Sequence, residues 1–82
     1  MPSDHPFALT QAAIGQPVRL VRIDGGKKLT RRLIELGLTP GVRLRVLQDS
    51  GGPVILAVRD SRIALGRGMA EKLVVCPEET EP

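Results

Sequence analysis

Apolar and polar residues alternate along much of this chain, and where they do the period is two. Val42, Leu44 and Val46 point one way and Arg43 and Arg45 the other, so residues 42–47 read as a half-buried strand. Residues 53–59 repeat the pattern, with Val54, Leu56 and Val58 on one face and Ile55 and Ala57 on the other. Ile63 and Leu65 face inward in a short strand over 62–65, and Leu73 and Val75 do so in a closing strand over 73–76 that Pro77 stops. Residues 17–23, rich in β-branched side chains, form the first strand, with Arg19 and Arg22 outward. The period changes over 27–36. There Leu29, Leu33 and Leu36 stand at i, i+4 and i+7, an apolar helical stripe with Ile34 at its edge. Lys27, Lys28, Arg31, Arg32 and Glu35 cover the other face.

The punctuation agrees with these elements. Asp24-Gly25-Gly26 is a turn in which Asp24 is a candidate helix cap. Gly37 supplies the left-handed residue that ends a helix, and Leu38 can fold back onto Leu33. Thr39-Pro40-Gly41 has Pro and Gly where a type II turn wants them, and Asp49-Ser50-Gly51-Gly52 suits a hairpin loop. Asp60-Ser61 is a tight connection, and 66–71 is a turn with one helical turn over 69–71. Residues 8–14 suggest a short helical turn, broken at Gly15-Gln16-Pro17. The result is mainly β: a small barrel or sandwich of about five short strands, with one helix between the first two. A barrel also protects strand edges.

Eighty-two residues make one small domain. Hydrophobic residues at 41% and charged residues at 26% are ordinary for a globular chain and exclude wholesale disorder. No apolar run reaches the roughly 20 residues of a membrane helix, and residues 1–6 lack the pattern of a signal peptide. Cys76 is the single cysteine, which excludes an internal disulfide and fits a reducing cytosol. With His5 the single histidine, a tetrahedral zinc finger from this chain alone is excluded. Phe7 is the single aromatic, so a base-stacking platform for single-stranded nucleic acid is disfavoured. The net charge is +3, unevenly placed: all 12 basic residues lie between Arg19 and Lys72, while Asp4, Glu78, Glu79 and Glu81 make the ends acidic. A basic body of this kind fits an anionic partner, although exposed strand faces also need charge simply to meet water.

The run Leu29-Thr30-Arg31-Arg32-Leu33-Ile34-Glu35-Leu36-Gly37-Leu38-Thr39-Pro40-Gly41 resembles the signature of the ferrous iron transport protein A family (FeoA). The strand Val18-Arg19-Leu20-Val21-Arg22-Ile23 precedes it, and Val42-Arg43-Leu44-Arg45-Val46 and Ala70-Glu71-Lys72-Leu73-Val74-Val75 follow in the family's order. The opening Leu9-Thr10 and Gly15-Gln16 also fit. The resemblance covers residues 8–76. Residues 1–7 then read as a flexible extension that leaves Phe7 outside the family core, and 77–82 as an acidic flexible tail. Gly66-Arg67-Gly68-Met69 is richer in glycine than members often are at that place. The resemblance implies an SH3-like β-barrel. It also implies a free-standing, cytoplasmic, non-enzymatic accessory protein of Fe(II) uptake. The implied partner is a ferrous iron permease with a cytosolic GTPase domain, which could recruit the protein to the inner membrane face.

Candidate chemistry is sparse. Asp24-Gly25-Gly26-Lys27-Lys28 lacks the spacing of a phosphate-binding loop and reads as a plain turn. Nothing pairs a nucleophile with a base, which disfavours an enzyme. The surface with the strongest case for partner binding is Lys27, Lys28, Arg31 and Arg32, with Gly37, Leu38 and Pro40 fixing register; a merely solvated helix face is the alternative. His5 and Cys76 are the candidate soft metal ligands, too few for a structural site in one chain. No cofactor is required on this reading, but zinc or Fe(II) could be bound adventitiously or bridge two copies. The expected state is therefore a monomer or a weak, metal-bridged oligomer. A second reading is a metal-responsive regulatory domain. Nucleic-acid binding through phosphate contacts ranks behind both, and proline-rich peptide recognition lacks its aromatic walls.

Overall fold

The strands form where the alternation predicts them and close on one face. In the computed structural model, which describes residues 5–78, the order is β1 (Phe7–Ala8), a 3-10 turn (Leu9–Gln11), β2 (Val18–Ile23), α1 (Lys27–Glu35), β3 (Arg43–Gln48), β4 (Val54–Val58), β5 (Ser61–Leu65), α2 (Arg67–Ala70) and β6 (Leu73–Pro77). All pairings are antiparallel, in one sheet ordered β1-β6-β2-β3-β4-β5. The register shifts within β2 between Leu20 and Arg22 and within β3 between Val46 and Gln48. Such irregularities bend and twist a strand, which lets a single sheet curl around its own core.

That core is aliphatic. Val18, Leu20, Leu44, Val46, Val54, Leu56, Leu65, Leu73 and Val75 are buried from the strands, and Leu9 and Leu33 from the two flanking turns of helix. The inward residues expected for the four later strands are all in the core; in β6 Val74 is buried as well, outside the core cluster. The β4–β5 connection is a two-residue turn, Arg59-Asp60, whose Arg59 takes a left-handed φ of +56°.

The C-terminal end of α1 carries the clearest link from sequence to geometry. Gly37 has φ +97°; its N–H donates to the Ile34 carbonyl at 2.9 Å, and the Leu38 N–H to the Leu33 carbonyl at 2.9 Å. This is the double bond pattern of a Schellman motif, which satisfies two end carbonyls and turns the next side chain back onto the helix. Leu38 is fully buried as a result. Thr39 to Val42 then closes as the expected turn, with Gly41 at φ +93° and the Val42 N–H donating to the Thr39 carbonyl.

Five local expectations are corrected. Leu36 is 45% exposed instead of lying in the stripe, because the helix ends at Glu35 and the reversal at Gly37 gives Leu38 the inward place. Asp24 does not cap α1: the N-cap is Gly26 with no side-chain bond, and the Asp24 carboxylate accepts a bond from Arg22 Nε at 3.0 Å. Phe7 lies in an additional strand, opposite Val75, because β6 would otherwise be an open edge. The helical turn near residue 69 begins at Arg67, with Gly66 as its N-cap. Pro77 ends inside β6, opposite Val18; β1 flanks only Val74 and Val75, so the missing N–H is tolerated there. The extension expected over 1–7 lies outside the described residues up to residue 4, and the acidic tail does so from residue 79.

Candidate functional site

Helix α1 is tied to the core by Leu33 and, through the reversal after it, by Leu38, which fixes the direction of its outer face. Lys27, Lys28, Arg31 and Arg32 are all exposed there and, with Glu35, line an open hollow of about 320 Å³. The arrangement is unfavourable for the helix itself. Lys27 and Arg31, and Lys28 and Arg32, are like-charge neighbours four residues apart. No acidic residue stands in the first turn, where two lysines face the positive end of the helix dipole. Glu35 is the single acid on the helix. Among the described residues, none of the four cations has a carboxylate partner, whereas Arg19, Arg22, Arg43 and Arg67 each do. What this face offers chemically is concentrated positive charge without internal compensation.

The other proposed contact residues separate. Pro40 is exposed and Gly37 half-buried at the turn. Leu38 has no exposed surface, so it holds the turn from beneath and cannot touch a partner directly. The exposed apolar side chains beside the basic face are Ile34, 43% exposed, and Leu36. Sequence reasoning placed Leu36 in the core; the signal that could have found it is Gly37, which ends the helix before another inward turn is completed.

His5 and Cys76 come to the same end of the sheet, since β1 runs antiparallel to β6 with Phe7 opposite Val75. His5 is exposed and Cys76 half-buried. Among the described residues no group of three or more His, Cys, Asp or Glu side chains is placed to hold a metal ion.

Beside Cys76 lies a carboxylate that sequence reasoning had assigned to the tail. Glu78 Oε1 accepts a bond from Arg19 Nε at 2.8 Å, and its Oε2 lies 3.3 Å from Arg43 Nε. The Glu78 N–H donates to the Pro17 carbonyl, which holds the residue against β2. The bond from Arg19 is the main cause that lowers the Glu78 pKa below its ordinary 4.5; desolvation opposes it, and the charges of Arg19 and Arg43 add to the lowering. A second bridge, Arg67 to Asp49, links α2 to the β3–β4 loop. No helix among the described residues is long and apolar enough to cross a membrane.

Comparison with known proteins identifies the family and the fold. The FeoA domain family model matches residues 7–77, starting at Phe7. A candidate Fe(2+) transport protein A of Methanocaldococcus jannaschii is 38% identical over 69 residues, 84% of each chain. A crystal structure of an iron uptake regulatory protein, FeoA, superposes with a TM-score of 0.83 at 32% identity, over 90% of this chain and 100% of that one. FeoA of Stenotrophomonas maltophilia, crystallised with zinc, superposes with a TM-score of 0.72 at 25% identity, over 82% of this chain and 86% of that one. That protein is described as a prokaryotic SH3 domain protein and a candidate ferrous iron transport activating factor. The fold is thus the SH3-like one, its strand count raised to six by β1, and on the extent of these matches the chain belongs to the FeoA domain family.

Proposed function

We propose that this protein is a non-enzymatic accessory factor of ferrous iron transport that docks on the cytosolic, GTPase-bearing part of a ferrous iron permease. The observation that carries the reading is the α1 face: four exposed cations on one short helix, two like-charge pairs among them, and no carboxylate partner among the described residues. Such a surface gains most from an external acidic partner, which it would attract by electrostatic steering. Ile34, Leu36 and Pro40 beside it supply the apolar contacts that fix register, with Gly37 and Leu38 holding the turn that presents them. The iron-transport descriptions carried by the M. jannaschii and S. maltophilia relatives support the pathway. The protein then acts on the cytoplasmic side and reaches the inner membrane face through its partner. The test is binding to the permease's cytosolic domain, with Fe(II) and with chelator. Saturable, iron-independent binding that weakens in R31E/R32E supports the reading; affinity unchanged by those substitutions overturns the face assignment.

A metal-bridged state is the second reading. Its observation is the placing of exposed His5 and half-buried Cys76 at one end of the sheet, two ligands that a second copy would complete to four. Sedimentation with and without zinc, on wild type and H5A/C76S, decides it. A dimer that needs zinc and both residues supports it; a monomer at every zinc concentration overturns it.

A further inference from the structure

The outer face of the sheet holds a second concentration of positive charge that the sequence did not reveal, because its members are far apart along the chain. Arg19 in β2 stands opposite Arg43 in β3. Two residues further along β3, Arg45 stands opposite Ala57 in β4, and Ala57 opposite Arg62 in β5. Residues opposite one another in a ladder share a face. The four arginines therefore form one surface spanning four strands, and all four are exposed. Ala57 keeps the middle low between Arg45 and Arg62.

Like charges placed directly opposite one another destabilise a sheet. For Arg19 and Arg43 the chain supplies relief: the Glu78 carboxylate is shared between their Nε atoms, and its side chain is only 6% exposed. Arg45 and Arg62 have no carboxylate partner among the described residues. The surface thus contains one filled carboxylate site and, next to it, a pair of arginines with nothing to match. All of these cations are arginine, whose fork of donors suits carboxylates better than the lysine point charge does.

We propose that the outer face of β2–β5 is a docking surface for an acidic peptide segment of a partner protein, read by Arg43, Arg45 and Arg62, with Glu78 as the resident carboxylate that competes for its edge. Glu78 shows the chemistry that fits: a carboxylate seated between two guanidinium groups of neighbouring strands. The spacing fits as well. Arg43 and Arg45 are two residues apart on one strand, about 7 Å, the same repeat at which an extended peptide presents alternate side chains. This surface is separate from α1 and does not rest on the permease reading.

The experiment uses the full chain and a fluorescein-labelled octapeptide of alternating glutamate and serine, with the glutamine–serine peptide as control. Anisotropy at low salt measures affinity, and amide shifts locate the contact. The expected results are saturable binding of the glutamate peptide alone and shifts on β3–β5. R45E/R62E, or R45Q/R62Q should the reversal impair folding, weakens binding by about tenfold, as expected for losing a few exposed charge pairs. E78Q strengthens binding by about threefold, since it withdraws one competing charge. K27E/K28E leaves affinity within about twofold. Shifts confined to α1, no saturable binding, or an E78Q chain that binds no better each overturn the proposal. A short duplex DNA that binds the same arginines more tightly than the peptide also overturns it, in favour of a phosphate backbone.

Discussion

The basic residues of β2 and β3 and those of α1 differ in what surrounds them. On the sheet, Arg19 and Arg43 converge on Glu78, a carboxylate delivered from the far end of the chain. On the helix, Lys27, Lys28, Arg31 and Arg32 crowd one face without a carboxylate partner among the described residues, and two of them oppose the helix dipole. The first arrangement fastens β6 to the sheet and serves the fold. The second costs local stability, and no ion pair among the described residues offsets that cost. Local choices that conflict with the element they sit in are expected where function overrides stability. The comparison teaches that a count of basic residues is a poor guide to a binding surface. What distinguishes them is whether the chain supplies the counter-charge.

The comparison can be broken in several ways, and the largest effect tests its scaffold. L33A removes the buried anchor of α1 and should cost about 2–5 kcal/mol in urea unfolding. A loss below about 1 kcal/mol would mean that the helix is not held by the core, and its face not fixed. G37A forces a side chain into the left-handed region at φ +97° and should cost about 1–2 kcal/mol while leaving the inner core intact. K27E/K28E sharpens the contrast by sign. It places acids in the first turn and removes both like-charge pairs, so it should raise stability by about 0.3–1 kcal/mol per site. A fall in Tm would show that the lysines serve the fold after all.

The smallest effect lies in the Glu78 clamp and depends on pH. The folded-state pKa of Glu78 is lowered, so its contribution is fully present above the ordinary value of 4.5 and is lost as pH falls through the folded value. E78Q should therefore melt lower than wild type at neutral pH, and the gap should close as pH drops below 4.5. A gap that persists at low pH would show that the residue acts through packing instead of charge.

Much of this was legible because it is periodic. The inward sets of β3, β4, β5 and β6, the reversal at Gly37-Leu38 and the turn at Pro40-Gly41 all follow from spacing and from residues with narrow conformational uses. So was the basic face of α1, since helical neighbours are close in sequence. What escaped depends on pairing across distance. The two-residue β1 is too short to show a period, and it exists because β6 needs a neighbour. The clamp joins Glu78 to Arg19 across 59 positions, and the arginine surface needs the registers of β2 to β5 before it appears. Asp24 had the right composition for a cap, but Arg22 engages it instead.

The most direct test of the central claim is a titration of the permease's cytosolic domain with wild type, R31E/R32E and R45E/R62E at low and high salt. The account predicts that R31E/R32E weakens binding by about tenfold or more at low salt, that the loss narrows as salt rises, and that the fold is unchanged. Equal affinity for wild type and R31E/R32E at low salt would contradict it.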